Sequence, residues 1–424
     1  MSTEKKQVIE EFRQHVSSGK AAFFEKYQMQ FVAGDRSGCW LEDMDGQQQL
    51  FNLHCNGGVF NLGHRNPQIM RTLQTALTEV DIGNHHLMSQ YRARLATDLC
   101  HSMPEPLNAV IFGVSGGEAV DVAIKVACGA SGRKKIVSVF GGYHGHTGLS
   151  VQAGDEKYRA PFHLGHTNFQ QVNFNDLTAM DRALDKDTAA VILETIPATL
   201  GMIMPEEDYL TTIRKWCDER DIVLILDEVQ TGWGRTGKLW AFEHYHVVPD
   251  IVVLGKGMSG GIYPMSATVI SDKLNQLFVQ EPFSHISTFG GSELGCVVSS
   301  EVLKISASED FLNHVNLLAE QFRQQLSNVY QKPMTGFQQK GLMMALELNS
   351  DIAGPVLTKT AYDQGLLMIY ANNRPSAVQF LPPLIMQAEQ IPALIERLIK
   401  ALKKAKKLIP LINLKDKVKH RFSF

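Results

Sequence analysis

Val223-Leu224-Ile225-Leu226-Asp227-Glu228 is an apolar run that ends on two acids. A run with no polar alternation reads as a strand of a parallel sheet covered by helices on both faces. The same pattern recurs outward from it, in Ala109-Val110-Ile111-Phe112, Lys135-Ile136-Val137-Ser138-Val139, Ala190-Val191-Ile192-Leu193 and Ile251-Val252-Val253-Leu254. Amphipathic stretches lie between these runs, among them Glu118 to Cys128 and Tyr209 to Arg220, and they read as crossover helices. Strand and helix in alternation predict an α/β protein with a mostly parallel sheet. An acid at the carboxyl end of such a strand projects into the crevice where α/β sheets hold ligands.

The pattern changes toward both ends of the chain. Before about Pro67, the stretch Cys39-Trp40-Leu41-Glu42-Asp43-Met44-Asp45-Gly46 predicts a hairpin turning on Asp45-Gly46. From about Phe311 a long amphipathic helix, short strands and a terminal helix follow. The expected organisation is an N-terminal segment 1–66 joining a small domain, a large domain 67–308 and a C-terminal small domain 309–424. The lysine-rich stretch from Lys403 to Phe424 reads as a solvated helix with a frayed tail. The 424 residues are 44% hydrophobic and 20% charged, an ordinary globular composition. A formal net charge of −3 gives no basic field to attract nucleic acid. No run approaches the roughly 18 apolar residues of a membrane span. The start, Met1-Ser2-Thr3-Glu4-Lys5-Lys6, lacks the apolar core of a signal peptide. Six scattered cysteines with no CxxC pair argue for reduced thiols rather than a zinc site or disulfides. Fifteen histidines show no HExxH spacing, so no metal is expected. A cytoplasmic enzyme fits all of this.

Four elements carry chemistry or imitate it. The strand ending in Asp227-Glu228 resembles the acidic element of an ATPase, but that reading needs G-x-x-x-x-G-K-[ST], and Gly255-Lys256 is followed by Gly257. Gly232-Trp233-Gly234-Arg235-Thr236-Gly237 matches G-x-G-x-x-G literally, yet five residues separate it from the strand end and no helix opens behind it. Pro249-Asp250-Ile251-Val252-Val253-Leu254-Gly255-Lys256-Gly257 is a buried strand ending in a lysine between glycines. A surface lysine in a tight turn is the plain alternative, but flanking glycines let the backbone approach a bulky ligand. Twenty-nine positions separate Asp227 from Lys256, room for one crossover, so both tips would face one crevice. A desolvated lysine there gains the lowered pKa that Schiff-base chemistry needs. A carboxylate opposite it would keep a pyridine nitrogen protonated and make the ring an electron sink. Finally, Phe112-Gly113-Val114-Ser115-Gly116-Gly117-Glu118 runs from strand through glycine-rich turn into helix, an anion site suited to phosphate.

Together these residues resemble the class III aminotransferases of the fold type I pyridoxal-phosphate superfamily. The resemblance also takes in Asn61-Leu62-Gly63-His64-Arg65-Asn66-Pro67, Gly142-Tyr143-His144-Gly145-His146-Thr147, Ser287-Thr288-Phe289-Gly290-Gly291 and Phe380-Leu381-Pro382-Pro383-Leu384, and it covers nearly the whole chain. It implies a large domain with a mostly parallel sheet covered by helices, plus a smaller α+β domain built from both termini. It implies pyridoxal 5'-phosphate as cofactor, with Lys256 as the Schiff-base lysine and proton shuttle. Asp227 matches the partner of the pyridine nitrogen and Gln230 that of the ring hydroxyl. Tyr143 matches the aromatic stacked on the ring, with Val229 on the opposite face. Ser115, Gly116 and Gly117 match the phosphate loop. Thr288 matches a residue reaching the neighbouring subunit's phosphate, which implies a homodimer with shared active sites. Glu194, and with it His144, matches the support of the Asp227 network. The reaction implied moves an amino group from an amine or amino-acid donor to a 2-oxo acid. Relatives that racemise, epimerise, decarboxylate or eliminate phosphate from amino acids are the alternative outcome.

The sequence departs from the family at three places. Members often carry an arginine before the Pro-Pro pair, where Gln379 stands, and a glutamine lacks the charged fork that grips a carboxylate. Arg374, five residues earlier, is a substitute only if it is not held at the surface. Gly117 removes a hydroxyl donor from the phosphate loop, and Thr195 replaces the usual proline after Glu194. These changes bear on the substrate and leave Lys256 and Asp227 untouched.

Overall fold

The computed structural model describes residues 1–329 and 331–422. Its centre is a seven-stranded sheet in the order Leu107–Gly113, Ser266–Ser271, Ile251–Leu254, Val223–Asp227, Thr188–Glu194, Lys135–Val139, Phe169–Val172. From Ile251–Leu254 to Phe169–Val172 the pairing is parallel. The Ser266–Ser271 strand runs antiparallel to both its neighbours. Every residue of the three central strands is buried, because both faces are covered. Ile192, Ile225 and Val253 pack on one side against Val120, Ala123 and Ala127 of the Gly116–Ser131 helix. Val191, Leu224 and Val252 pack on the other against Leu210, Ile213 and Cys217 of the Tyr209–Arg220 helix. Each such aliphatic side chain contributes about 1.5–3 kcal/mol by leaving water. That covering is the physical reason for the unbroken apolar runs, and it bears out the α/β reading.

A second core joins the two ends of the chain. Phe51 and Leu53 pack with Phe322, Leu342, Leu346, Phe380 and Leu398. The expected hairpin forms from Trp40–Asp43 and Gln49–Asn52, with Gly46 left-handed (φ 68°) in the turn. Its second strand then pairs in parallel with Leu366–Leu367. Beside it lies an antiparallel sheet of Met334–Lys340, Met343–Leu348, Arg374–Phe380 and Ile369–Ala371. The terminal helix spans Ile391–Phe422; the end of the frayed tail expected there, Ser423 and Phe424, lies outside the described residues.

The glycine-rich Gly232–Gly237 segment is a staple between these layers. Gly234 and Gly237 adopt φ of 83° and 87°, and the turn they make drives Arg235 into the interior with no exposed surface. The guanidinium donates to Leu342 O at 3.1 Å, Pro382 O at 2.7 Å and Asn61 Oδ1 at 2.6 Å. Each buried acceptor left without a donor costs about 1–3 kcal/mol. Arg235→Ala is therefore expected to lose about 3 kcal/mol or more, read as a lower urea midpoint. Arg235→Lys restores little of that loss, since an ammonium cannot span three divergent acceptors.

Candidate active site

Three strand tips converge on one edge of the large sheet. Glu194 and Asp227 are register partners on adjacent parallel strands, and Lys256 follows the next strand over. Lys256 is itself left-handed (φ 42°), a conformation that costs a non-glycine residue roughly 1–2 kcal/mol and aims its side chain away from the strand line. Gly255 makes the approach possible: a Cβ there would lie 3.3 Å from Val229 Cγ1 and 3.5 Å from Gly116 Cα. The Lys256 ammonium donates to Gln230 Oε1 at 2.6 Å, and Gln230 Nε2 donates to Gln379 Oε1 at 3.4 Å. Burial lowers the Lys256 pKa, and the charges of Asp227 and Glu194 only partly oppose it.

Asp227 is held on both oxygens. Oδ1 accepts Val229 N at 3.0 Å and Oδ2 lies 2.8 Å from His144 Nδ1. Burial works against a charge on His144, but its bond to Asp227 and the nearby carboxylates outweigh burial and raise its pKa. Glu194 accepts Tyr143 N at 2.9 Å and Ala198 N at 3.2 Å. Burial, with the charge of Asp227 adding to it and His144 opposing, pushes Glu194 up to about 7. Asp227 thus sits between a histidine inclined to carry a proton and a second acid inclined to keep one. Glu228 faces the other way: fully buried, it accepts from Thr195 Oγ1, Thr231 Oγ1, Ala241 N and Phe242 N. Thr195, unusual at its position, has its hydroxyl employed there.

At the start of the Gly116–Ser131 helix, Ser115 Oγ accepts Glu118 N at 3.2 Å and Glu118 Oε2 accepts Val114 N at 2.7 Å. The Ser115 hydroxyl is thereby a helix cap, while the first-turn N–H groups of Gly116 and Gly117 have no intrahelical acceptor. Side chains would close this turn: a Cβ at Gly116 meets Val229 Cγ1 at 3.1 Å, and one at Gly117 meets Thr147 Oγ1 at 2.9 Å. Gly117 is thus what lets the Thr147 hydroxyl stand beside the loop. A cavity of about 280 Å³ opens here, lined among others by Val59, Ser115, Gly116, Lys256 and Tyr263. The half-buried Tyr143 ring lies at the same edge, packed against His146 and Tyr158 at centroid distances of 5.0 and 6.2 Å.

The single chain thus gathers Ser115, Gly116, Gly117, Tyr143, His144, Glu194, Asp227, Val229, Gln230 and Lys256 around one cleft. Thr288 is the candidate it does not bring there; that residue sits on an exposed loop beside the exposed Phe283, Ile286 and Phe289. Arg374 pairs with Glu347 at 3.3 Å. Five residues of extended strand, roughly 16 Å, and the fully buried Ala377 separate it from Gln379, so it does not take the place of the missing arginine. Sequence reasoning missed Gly57, on a turn pressed against Lys256, and the Gln379–Gln230 contact, which spans 149 positions. A lysine with no ion pair among the described residues, an anion held for a ring nitrogen, and open first-turn amides beside a cavity fit a phosphorylated pyridine aldehyde.

A family model for class-III aminotransferases matches residues 23–402. An uncharacterized aminotransferase of Archaeoglobus fulgidus is 50% identical over 400 residues, with 94% of each chain covered. The ornithine aminotransferase of Toxoplasma gondii ME49 superposes with a TM-score of 0.86 at 23% identity over 96% of each chain. A transaminase from the marine bacterium Virgibacillus gives 0.87 at 22% identity, over 95% of this chain and 100% of its own. At such identities the two solved structures speak to the fold alone.

Proposed function

The chain belongs to the class III aminotransferase family, and we propose that its active site is the Lys256 cleft. It is a pyridoxal-phosphate-dependent transaminase of fold type I, which moves an amino group from an amino donor to a 2-oxo acid. Bound pyridoxal phosphate supplies an aldehyde that captures amines and a ring that accepts the electrons of a breaking C–H bond.

Lys256 would hold that aldehyde and, once displaced by the donor, carry the proton between carbons; its lowered pKa suits it to act as a base. Asp227 would hold the ring-nitrogen proton, with His144 and Val229 N fixing the carboxylate. Gln230 would meet the ring hydroxyl with the amide that now accepts from Lys256. Tyr143 would cover one ring face and Val229 the other. The Gly116 and Gly117 amides, behind the Ser115 cap, would bind the phosphate, and Glu194 would steady the loop of Tyr143 and the charge of Asp227. Thr288 would complete the phosphate site of a partner subunit, so the working form is a homodimer with shared sites. The exposed Phe283, Ile286 and Phe289 around Thr288 support that reading. Six unpaired cysteines support a cytoplasmic setting.

The observation that carries the site assignment is the meeting of the Glu194, Asp227 and Lys256 strand tips. A single donor half-reaction tests it. With an amino donor alone the aldehyde absorbance of the holoenzyme should fall and stay low until a 2-oxo acid restores it. Recovery without an oxo acid would instead mark an epimerase, decarboxylase or lyase cycle.

A further inference from the structure

The loop that carries Tyr143 is tied to the strand tips at its middle, Tyr143 N to Glu194 and His144 to Asp227. Farther on it presses against the phosphate loop, where a Cβ at Gly145 would lie 2.7 Å from Gly117 Cα. Its entry is held from the small domain. Gly141 is left-handed, with φ of 75°, and so close to Leu200 that a Cβ there would collide with it. Gly141 N donates to Asp155 Oδ1 at 2.7 Å. Gly141 O accepts Thr199 Oγ1 and Asn373 Nδ2, both at 2.7 Å.

Asn373 stands at the tip of the hairpin that joins Ile369–Ala371 to Arg374–Phe380. The large domain grips that tip. Lys157 Nζ donates to Asn372 O at 2.9 Å, Asn373 N donates to Thr199 O at 3.1 Å, and Tyr158 OH donates to Asn373 Oδ1 at 2.9 Å. Gly141 O can only accept, so the amide NH₂ must face it, which leaves the amide oxygen for the Tyr158 proton. Tyr158 carries the contact onward. Its ring centroid lies 4.8 Å from that of His146 and 6.2 Å, edge-on, from that of Tyr143. Asn373 therefore reaches Tyr143 twice, through the backbone of Gly141 and through the Tyr158 ring. The strand that begins beside it ends near Gln379, whose Oε1 accepts from Gln230, the partner of Lys256.

We propose that Asn373 is a positioning residue, which sets the height and tilt of the Tyr143 ring over the cofactor and so ties the seating of the small domain to the reacting face. The proposal rests on the reading that Tyr143 covers the cofactor ring. When Asn373 is removed, Thr199 still satisfies Gly141 O, so the loop loses its alignment and not its fold. Packing against a ring face weakens steeply once the two groups separate or tilt. A displacement of about 1 Å beside the reacting atoms is enough to cost up to about 10²-fold in rate.

The test uses the holoenzyme and reads the visible circular dichroism of the bound cofactor, which reports how the protein surrounds its ring. Asn373→Ala should lower that signal clearly and cut donor kcat/KM about 10-fold, with the urea midpoint close to wild type. Asn373→Asp keeps the size and the acceptor for Tyr158 but turns an oxygen toward Gly141 O, and it should lose about as much. Tyr158→Phe deletes one hydrogen bond and should cost about 3-fold alone. Added to Asn373→Ala it should cost nothing further, because both act along one chain of contacts. Unchanged dichroism in Asn373→Ala, whatever its activity or stability, would show a merely structural residue and overturn the proposal. So would losses from Asn373→Ala and Tyr158→Phe that multiply in the double variant. Tyr143→Leu separates the proposal from its premise. If it leaves dichroism and kcat/KM at wild-type levels, the reading of Tyr143 as the ring cover falls and takes this proposal with it; if it lowers both while Asn373→Ala is silent, only this proposal falls.

Discussion

Lys256→Ala should lower the rate of the donor half-reaction by about 10⁴-fold or more. Two losses combine in it. The covalent hold on the aldehyde disappears, and so does the group that moves the proton, a role worth about 10²- to 10⁴-fold by itself. Among the described residues no second amine stands ready: the Lys256 ammonium's hydrogen-bond partner is the Gln230 amide. Lys256→Arg should be equally inactive, because a guanidinium with a pKa above about 12 keeps its proton and makes no imine. Stability should hardly suffer in the alanine variant, since a buried ammonium with no ion pair among the described residues is removed together with its desolvation cost. Stopped-flow absorbance for the chemistry and a urea midpoint for the fold separate the two. A half-reaction slowed less than 10-fold would show that another group carries the proton.

The strands and the two central residues were legible in the sequence for one reason: a doubly covered parallel strand has nothing but apolar residues until its tip, so a charge at the tip stands out. Asp227 and Lys256 both lie at such tips. The Ser266–Ser271 strand shows the limit of that signal. It was not among the strands read from the sequence, because Ser266, Thr268 and Ser271 break up its apolar residues although all six are buried, and hydropathy carries no direction, so neither the strand nor its antiparallel run was visible. Thr195, a departure when read alone, became intelligible only once Glu228 was seen to accept its hydroxyl. The literal G-x-G-x-x-G run was set aside as a nucleotide site, but its use as an arginine staple depends on Leu342 and Pro382, more than 100 positions away. Gly57 gave no signal because its closeness to Lys256 comes from a left-handed turn, and a glycine after a strand does not announce one.

Asp227→Asn should lower kcat about 10²- to 10³-fold while leaving the fold intact, the range typical of removing one preorganised electrostatic contact. Asparagine keeps the shape and can still accept Val229 N through its amide oxygen, so the loop geometry survives. The amide NH₂ then faces His144 Nδ1, which must turn from donor to acceptor and therefore give up its extra proton. Two neighbours should report the change. The pKa of His144, raised by Asp227, should fall, and that of Glu194 should rise, because it loses the His144 charge that lowers it more than the Asp227 charge raises it. Loss of the negative charge would leave the ring nitrogen unprotonated and weaken the ring as an acceptor of electrons, so the proton-transfer step should slow more than donor binding. His144→Asn tests the ranking: acting only through Asp227, it should cost about 10-fold, well short of the loss at Asp227 itself. Cofactor affinity, donor KM and the rate of C–H cleavage, measured separately for both variants, decide the matter. If Asp227→Asn kept its C–H cleavage rate within threefold, the anion for the ring nitrogen would have to come from elsewhere, and Glu194, its register partner, would be the residue to test next.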